Sequence, residues 1–283
     1  MQRATTIKLA FSLAKGTATM MQKYLQNFYL TLVYIFLYLP IVVIICFSFN
    51  ISSHSLLWHG FTWHWYHVLF HDSDLAWVVV HSLTIGLLAA SFGTLLGTLA
   101  AVSLFRYQFF GKSFLNGLLF ILIIIPDLVF GIALLLFFTS IHLSLGFWTL
   151  LLAHITFCIP FVFVTVSSRM GILNKHFIEA GRDLGASEIT IFKRILIPLL
   201  APAILVGWLL SFTLSFDDVV ISYFVTGPSF EILPLKIYSM IRLGVKPEIN
   251  ALCSVLLVFT LIIIVTASHF MKNPKSKNGK QHV

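Results

Sequence analysis

Three of the ten acidic residues in this 283-residue chain fall inside long apolar runs: Asp127, Asp217 and Asp218. A carboxylate in an apolar medium needs a cation, a hydrogen-bond donor or a helix end to offset its lost hydration. Asp127 follows Pro126, which interrupts the helical ladder, so two readings stand: a carboxylate lining a pathway, or the cap of a restarted half-helix. Asp217 and Asp218 are adjacent, and adjacent helical positions point about 100° apart. One is expected to face a pathway while the other pairs with backbone or a partner subunit; the alternative is that both cap a boundary. Tyr223 and Phe224, with Trp208 upstream, offer ring faces to a cation, though such residues more often pack or face lipid. Two further patterns carry less. Gly111-Lys112-Ser113 ends like a phosphate-binding loop, but Arg106 stands where that motif needs glycine and no strand precedes it. His54, His59, His64, His67 and His71 crowd one loop without a thiol, and the tryptophans around them make an interfacial loop a better reading than a metal site.

The elements that position these residues follow from composition. Hydrophobic residues make up 59% of the chain and charged residues 10%, with a mean hydropathy of +0.98. A soluble domain carries about 25% charged residues, so this is an integral membrane protein. Six runs reach the roughly 20 apolar residues that a crossing helix needs: 29–49, 77–104, 114–138, 147–167, 198–225 and 251–270. All 18 Lys and Arg lie outside them. Fifteen fall in residues 1–28, loop 105–113, loop 168–197 and the tail; only Lys236, Arg242 and Lys246 fall on the other side. The positive-inside rule then places both termini in the cytoplasm. Trp58, Trp63, Trp65, Trp77 and Trp148 gather at the outer loops, as an interfacial belt does. The expected organisation is a cytoplasmic lead-in over 1–28, with Met20 or Met21 as an alternative start, a transmembrane domain over 29–270, and a basic cytoplasmic tail over 271–283. The net charge of +8 is thereby a topology signal, and a nucleic-acid partner is excluded. Cys46, Cys158 and Cys253 sit in apolar runs and form no metal or disulfide pattern.

The longest inner loop carries the segment EAGRDLGASEITIFKRILIP, Glu179 to Pro198. It reads as a short helix, a break at Gly185, and a second amphipathic helix capped by Ser187. Ile191, Ile195 and Pro198 stand at i, i+4 and i+7, a stripe that would pack at the inner membrane face, with Glu179, Arg182, Asp183 and Glu188 on the polar side. The spacing resembles the EAA loop of ABC-importer permeases: Glu-Ala-Ala, three residues, Gly, nine residues, Ile, one residue, Leu-Pro. Glu179, Ala180, Gly185, Ile195 and Pro198 match in register, while Gly181 replaces the second Ala and Ile197 the Leu. Gly181 is expected to loosen the first helix by up to about 1 kcal/mol relative to Ala.

The likeness extends over most of the chain. HITFCIPFVFVTVSSR (154–169) and SFTLSFDDVVISYFVTGPSFEILPLKIYSM (211–240) are similar to the permeases of spermidine/putrescine importers. That resemblance implies an all-α membrane protein with the type I ABC-importer permease fold in a bacterial inner membrane. It implies that Glu179, Ala180, Gly181, Asp183, Gly185 and Pro198 belong to a helix coupling transport to ATP hydrolysis. It also implies the partners: a homologous permease subunit, a cytoplasmic ATPase dimer, a periplasmic substrate-binding protein, and a polyamine as cargo. No covalent catalysis, cofactor or metal is implied. Asp127, Asp217, Asp218 and Tyr223 are the candidates for a cation path. Two rivals stay open: a permease for another small solute, and a stand-alone secondary transporter, which leaves the spacing of Glu179–Pro198 unexplained.

Overall fold

The computed structural model describes residues 2–52, 57–173, 176–242, 244 and 246–272, with side chains from residue 22 onward except 263, 264 and 267–272. His54, Lys175 and the basic tail from 273 lie outside the described residues. The elements are α1 (Gln2–Phe47), α2 (His64–His71), α3 (Ser73–Arg106), α4 (Lys112–Ile124), α5 (Asp127–Ser140), α6 (Phe147–Ile172), α7 (His176–Asp183), α8 (Glu188–Ile191), a π segment (Phe192–Leu196), α9 (Ile197–Asp217), α10 (Val220–Val225), α11 (Leu233–Arg242) and α12 (Pro247–Lys272). Among the described residues, extended pairing is limited to a bridge between Asn50 and Phe61. The helices group into two units, residues 1–71 with 244–283, and residues 72–243.

In the first unit, α1 runs without a break through the expected lead-in and first span, and α12 packs on α1 and α2. The turn after α1 is tied by Asn50. Its amide donates to the Leu57 carbonyl (2.9 Å), its Oδ1 accepts from the His59 N–H (2.9 Å), and its carbonyl accepts from Trp65 Nε1 (2.7 Å). Phe49 stacks on Phe61, meets Trp63 edge to face and lies tilted against Tyr66, so these four rings form one aromatic cluster.

The second unit is organised by α3, α6 and α9, which pack on one another. Lipid tails are as apolar as leucine, so helices in a membrane gain little from hydrophobicity and associate by close packing at small residues. Gly93 and Gly97 of α3 provide this. A Cβ on Gly93 would stand 2.7 Å from the Cβ of Cys158, and one on Gly97 would stand 2.7 Å from the Cβ of Val162 and 2.8 Å from the Ile159 carbonyl. Gly207 of α9 meets the same Val162 from the other side. One buried cluster around Leu150, Phe157, Ile221 and Val225 unites α3, α5, α6 and α10; another around Val162, Val166, Ile191, Leu196 and Leu200 joins α3, α6 and α9 to the loop.

Two expected spans are broken. The run 114–138 becomes α4 and α5, bent by 115°, because Pro126 forces Ile125 into an extended conformation (φ −62°, ψ 129°). The run 198–225 stops at Asp217. Asp218 is extended (φ −66°, ψ 126°), and its carboxylate accepts the N–H groups of Ile221 and Ser222 to start α10. Among the described residues, four helical stretches are long and apolar enough to cross a membrane: Gln22–Phe47, Ser73–Arg106, Phe147–Ile172 and Glu188–Asp217. The bent pair α4–α5 is either one broken span, which would make five, or a re-entrant loop, and in α12 the apolar stretch Pro247–Ile262 is shorter than these.

Candidate functional site

The loop from His176 to Pro198 folds as a helix, a left-handed turn and a second helix. Gly185 adopts φ +77°, the region glycine enters without steric cost. Around it the Leu184, Gly185 and Ala186 N–H groups close on the carbonyls of Ala180 (3.1 Å), Arg182 (2.8 Å) and Gly181 (3.0 Å), the bonding that terminates a helix. Ser187 then caps α8, its hydroxyl accepting from the Thr190 N–H at 3.3 Å.

Gly181 does more than loosen α7. It is buried against the second helix, where an added Cβ would meet Ile195 Cδ1 at 2.9 Å and Ile191 Cγ1 at 3.4 Å. The glycine lets α7 and α8 approach closely, so its helix-propensity cost accompanies a packing role.

The expected stripe is also corrected. Ile191 is fully buried, but Ile195 is only partly so and Pro198 is exposed; Leu196 and Leu200 are the buried successors. The spacing changes from i+4 to i+5 because the intervening turn is π-helical, the Ile197 N–H bonding five residues back to the Phe192 carbonyl. Pro198 supplies the reason. It has no N–H for the ladder and its ring crowds the carbonyl four residues before, and a widened turn just ahead relieves both.

One carboxylate fastens this loop to the membrane helices. Glu188 accepts from Arg106, at the end of α3, through one oxygen, and from Arg182 Nε and an Nη through the other, at 3.1 and 2.9 Å. Arg106 is only 5% exposed, so Glu188 serves as counter-charge to a nearly buried guanidinium. The outward side of α7 is open: Glu179 pairs with His176 at 3.0 Å, and Ala180, Asp183 and Leu184 are exposed. A charged helix edge with a bare leucine at its tip suits docking to another protein.

The candidate path residues lie at the helix breaks. Asp127 is exposed in the first turn of α5 and makes no capping bond there. Gly131 brings α5 onto α10, where its added Cβ would stand 2.9 Å from the Phe224 ring. Asp217 is exposed at the end of α9, whereas the Asp218 side chain is 6% exposed. Two open cavities adjoin this region. One of about 290 Å³ is lined by Leu128, Val219, Val220, Tyr223, Phe224, Tyr238 and Arg242. The other, about 480 Å³, shares Tyr223, Tyr238 and Arg242 and adds Glu231. Tyr223 thus lines both, while Asp127, Asp217 and Asp218 line neither; Asp127 and Asp218 adjoin the lining residues Leu128 and Val219 in the chain, and Asp217 stands two residues from Val219. Arg242 lies over the Tyr238 ring at 4.9 Å, an aromatic face that already holds a cation. Trp208 is elsewhere, bonded to Ser91 at 3.2 Å and stacked on Phe212.

Several of these residues escape sequence reasoning. Tyr238 and Arg242 reach the cavities from α11, and His154 of α6 bonds Ser215 and Ser222 at 2.6 and 2.9 Å. A lone histidine within an apolar run was the available signal for the last.

A helical bundle with broken apolar spans and a helix–turn–helix loop on a charged anchor is an arrangement that suits a membrane transport subunit. The chain belongs to the family of binding-protein-dependent transport system inner membrane components, whose model matches residues 93–276. Among its relatives, the spermidine/putrescine transport system permease protein PotC of Escherichia coli (strain K12) is 50% identical over 92% of this chain and 98% of that protein. PotC of Shigella flexneri is 48% identical over the same shares. The putrescine transport system permease protein PotI of Escherichia coli (strain K12) is 42% identical over 81% of this chain and 84% of that protein. The fold is shared with solved ABC transporters. A bacterial importer of the acidic polysaccharide alginate matches at TM-score 0.68 and 17% identity, covering 87% of this chain and 93% of that one. The MetNI methionine transporter matches at 0.58 and 19%, covering 71% and 97%.

Proposed function

We propose that this chain is a membrane-spanning subunit of an ATP-driven polyamine importer in the bacterial inner membrane, taking spermidine, putrescine or both. The observation that carries this reading is the 50% identity, over nearly the full length of both chains, to a spermidine/putrescine permease. The chain catalyses no covalent chemistry; an ATPase and a substrate-binding protein work with it, as with other permeases of its class. The partners are a homologous permease of the PotB type, a cytoplasmic ATPase dimer of the PotA type and a periplasmic binding protein of the PotD type. Six spans, with α12 as the last, and cytoplasmic termini account for the placement of fifteen of the 18 basic residues.

On this topology the exposed edge of α7, with Glu179, Ala180 and Asp183, docks on the ATPase. Gly181 and Gly185 shape the loop, and Pro198 begins the span that carries its motion. Closure of the ATPase pair moves the loop as a body, through Glu188 to α3 and through the π segment to α9, and the cavity between the permeases switches sides. Asp127, Asp217 and Tyr223 offer the carboxylates and ring face that a flexible polycation requires, and Asp218 supports them. The test is reconstitution of the chain with its three partners in liposomes and measurement of labelled spermidine and putrescine uptake. ATP-dependent accumulation of a polyamine is expected. Accumulation driven by an ion gradient without ATP, or of a different solute only, refutes the proposal.

A further inference from the structure

The contacts of His154 deepen this reading and rest on it. Asp218 accepts from the Ser222 N–H and the Ser222 hydroxyl, each at 2.8 Å, and from the Ile221 N–H at 3.3 Å. With its one O–H donated in the hydrogen bond to Asp218, the Ser222 hydroxyl is left as an acceptor toward the imidazole, so His154 Nε2 carries hydrogen and donates to it at 2.9 Å. In a neutral ring Nδ1 is then bare and accepts from the Ser215 hydroxyl at 2.6 Å. Nε2 is 3.6 Å from the Asp218 carboxylate, beyond direct bonding. All four side chains are buried: His154 and Ser222 at 0%, Ser215 at 2%, Asp218 at 6%.

We infer that His154 is a positioning residue for transport: as the neutral Nε2–H tautomer it links Ser215, Ser222 and Asp218 into one directed chain that locks the break between α9 and α10 onto α6. Each donor along it points toward Asp218, and each member satisfies the next. A break in a membrane helix leaves backbone groups with no water to bond. Asp218 satisfies two of them, and the chain holds Asp218 in place. Asp218 is thereby a part of the corner and not a ligand for cargo, and Asp217 is the carboxylate left at the rim.

Transport is measured on the full complex in liposomes, with labelled spermidine as probe. His154→Leu is expected to lower maximal uptake about tenfold, the effect of leaving buried polar partners unpaired, with half-saturating spermidine and complex yield unchanged. His154→Gln, whose amide N–H reaches toward Ser222, is expected to recover at least half of that loss. Wild-type uptake in the Leu variant, or a Gln variant no better than Leu, overturns the inference. Should the Leu variant not assemble, Ser222→Ala removes the link with little change of shape, and wild-type uptake there overturns it equally. A readout independent of cargo is the nitrogen spectrum of labelled histidine, differenced against His154→Gln. An Nε2–H ring is expected, and an Nδ1–H or doubly protonated ring overturns the inference. Absence of spermidine uptake by the wild-type complex counts against the polyamine reading and leaves this spectral test in force.

Discussion

Gly185 separates two explanations of why the loop needs glycine. Its φ is +77°, and a Cβ built there meets nothing within 4 Å in this chain. The cost of Gly185→Ala is therefore conformational. An L-residue in the left-handed region loses about 1–2 kcal/mol, and the smaller entropy of the unfolded alanine chain offsets up to about 1 kcal/mol of that. A net loss of about 1 kcal/mol reduces the population of the closed turn roughly fivefold. Asparagine enters the left-handed region far more readily, so Gly185→Asn should keep most of the turn while adding more bulk than alanine. Hydrogen exchange reads the turn directly at the amides of Leu184, Gly185 and Ala186, which bond across it. Uptake per ATP hydrolysed, in the reconstituted complex, reads its effect. The Ala variant should exchange about fivefold faster with a matching loss of coupled uptake, and the Asn variant should stay near wild type. If the two variants lose uptake equally while exchange is unchanged, the reasoning fails. Glycine is then required because a docked surface fills the space beside it.

Glu188→Ala leaves the Arg106 side chain, 5% exposed, without its counter-charge and should destabilise the fold. A thermal melt of the purified chain should show a lower midpoint, and the Arg106→Ala, Glu188→Ala double variant should lose less than the sum of the singles. Gly97→Ala pushes a methyl into the Ile159 carbonyl at 2.8 Å and should destabilise by about 1–3 kcal/mol, again read as a lower melting midpoint, whereas Gly117→Ala, with open space around it, should not. Asp217→Asn should preserve the melt and weaken spermidine uptake, while Asp218→Asn should lower the melt, since Asp218 accepts three bonds at the start of α10; equal behaviour of the two would remove the distinction drawn between them.

Membrane class and helical content were legible because composition alone settles them: a chain with 10% charged residues cannot clothe a soluble surface. The loop was legible too, since glycine, serine and the acid positions act locally. Gly185 takes its left-handed turn and Ser187 its cap from their own chemistry. What was not legible depends on partners distant in the chain. The Arg106–Glu188 contact joins residues 82 apart, and the His154–Ser222 contact joins residues 68 apart; neither leaves a periodic trace. Hydropathy also reads straight through a break: Pro126 marked the one inside 114–138, whereas nothing in 198–225 marked the one that Asp218 makes. Gly181 was read for its propensity, and its contact with Ile195 needed the second helix in view.

The π segment has a consequence for rotation. One turn that bonds five residues back in place of four amounts to a single extra residue between α8 and α9. A regular helix advances about 100° per residue. Removing one residue from Phe192–Leu196 would restore an even ladder and leave the faces on either side in phase, because the widened turn already absorbs the extra residue. Tightening the turn to α-helix with all its residues retained would instead swing Glu188 by that angle, away from Arg106, and turn the exposed edge of α7 with it. The widened turn thus holds the loop and the membrane helix in one angular register although the chain between them is a residue longer than a regular helix would need.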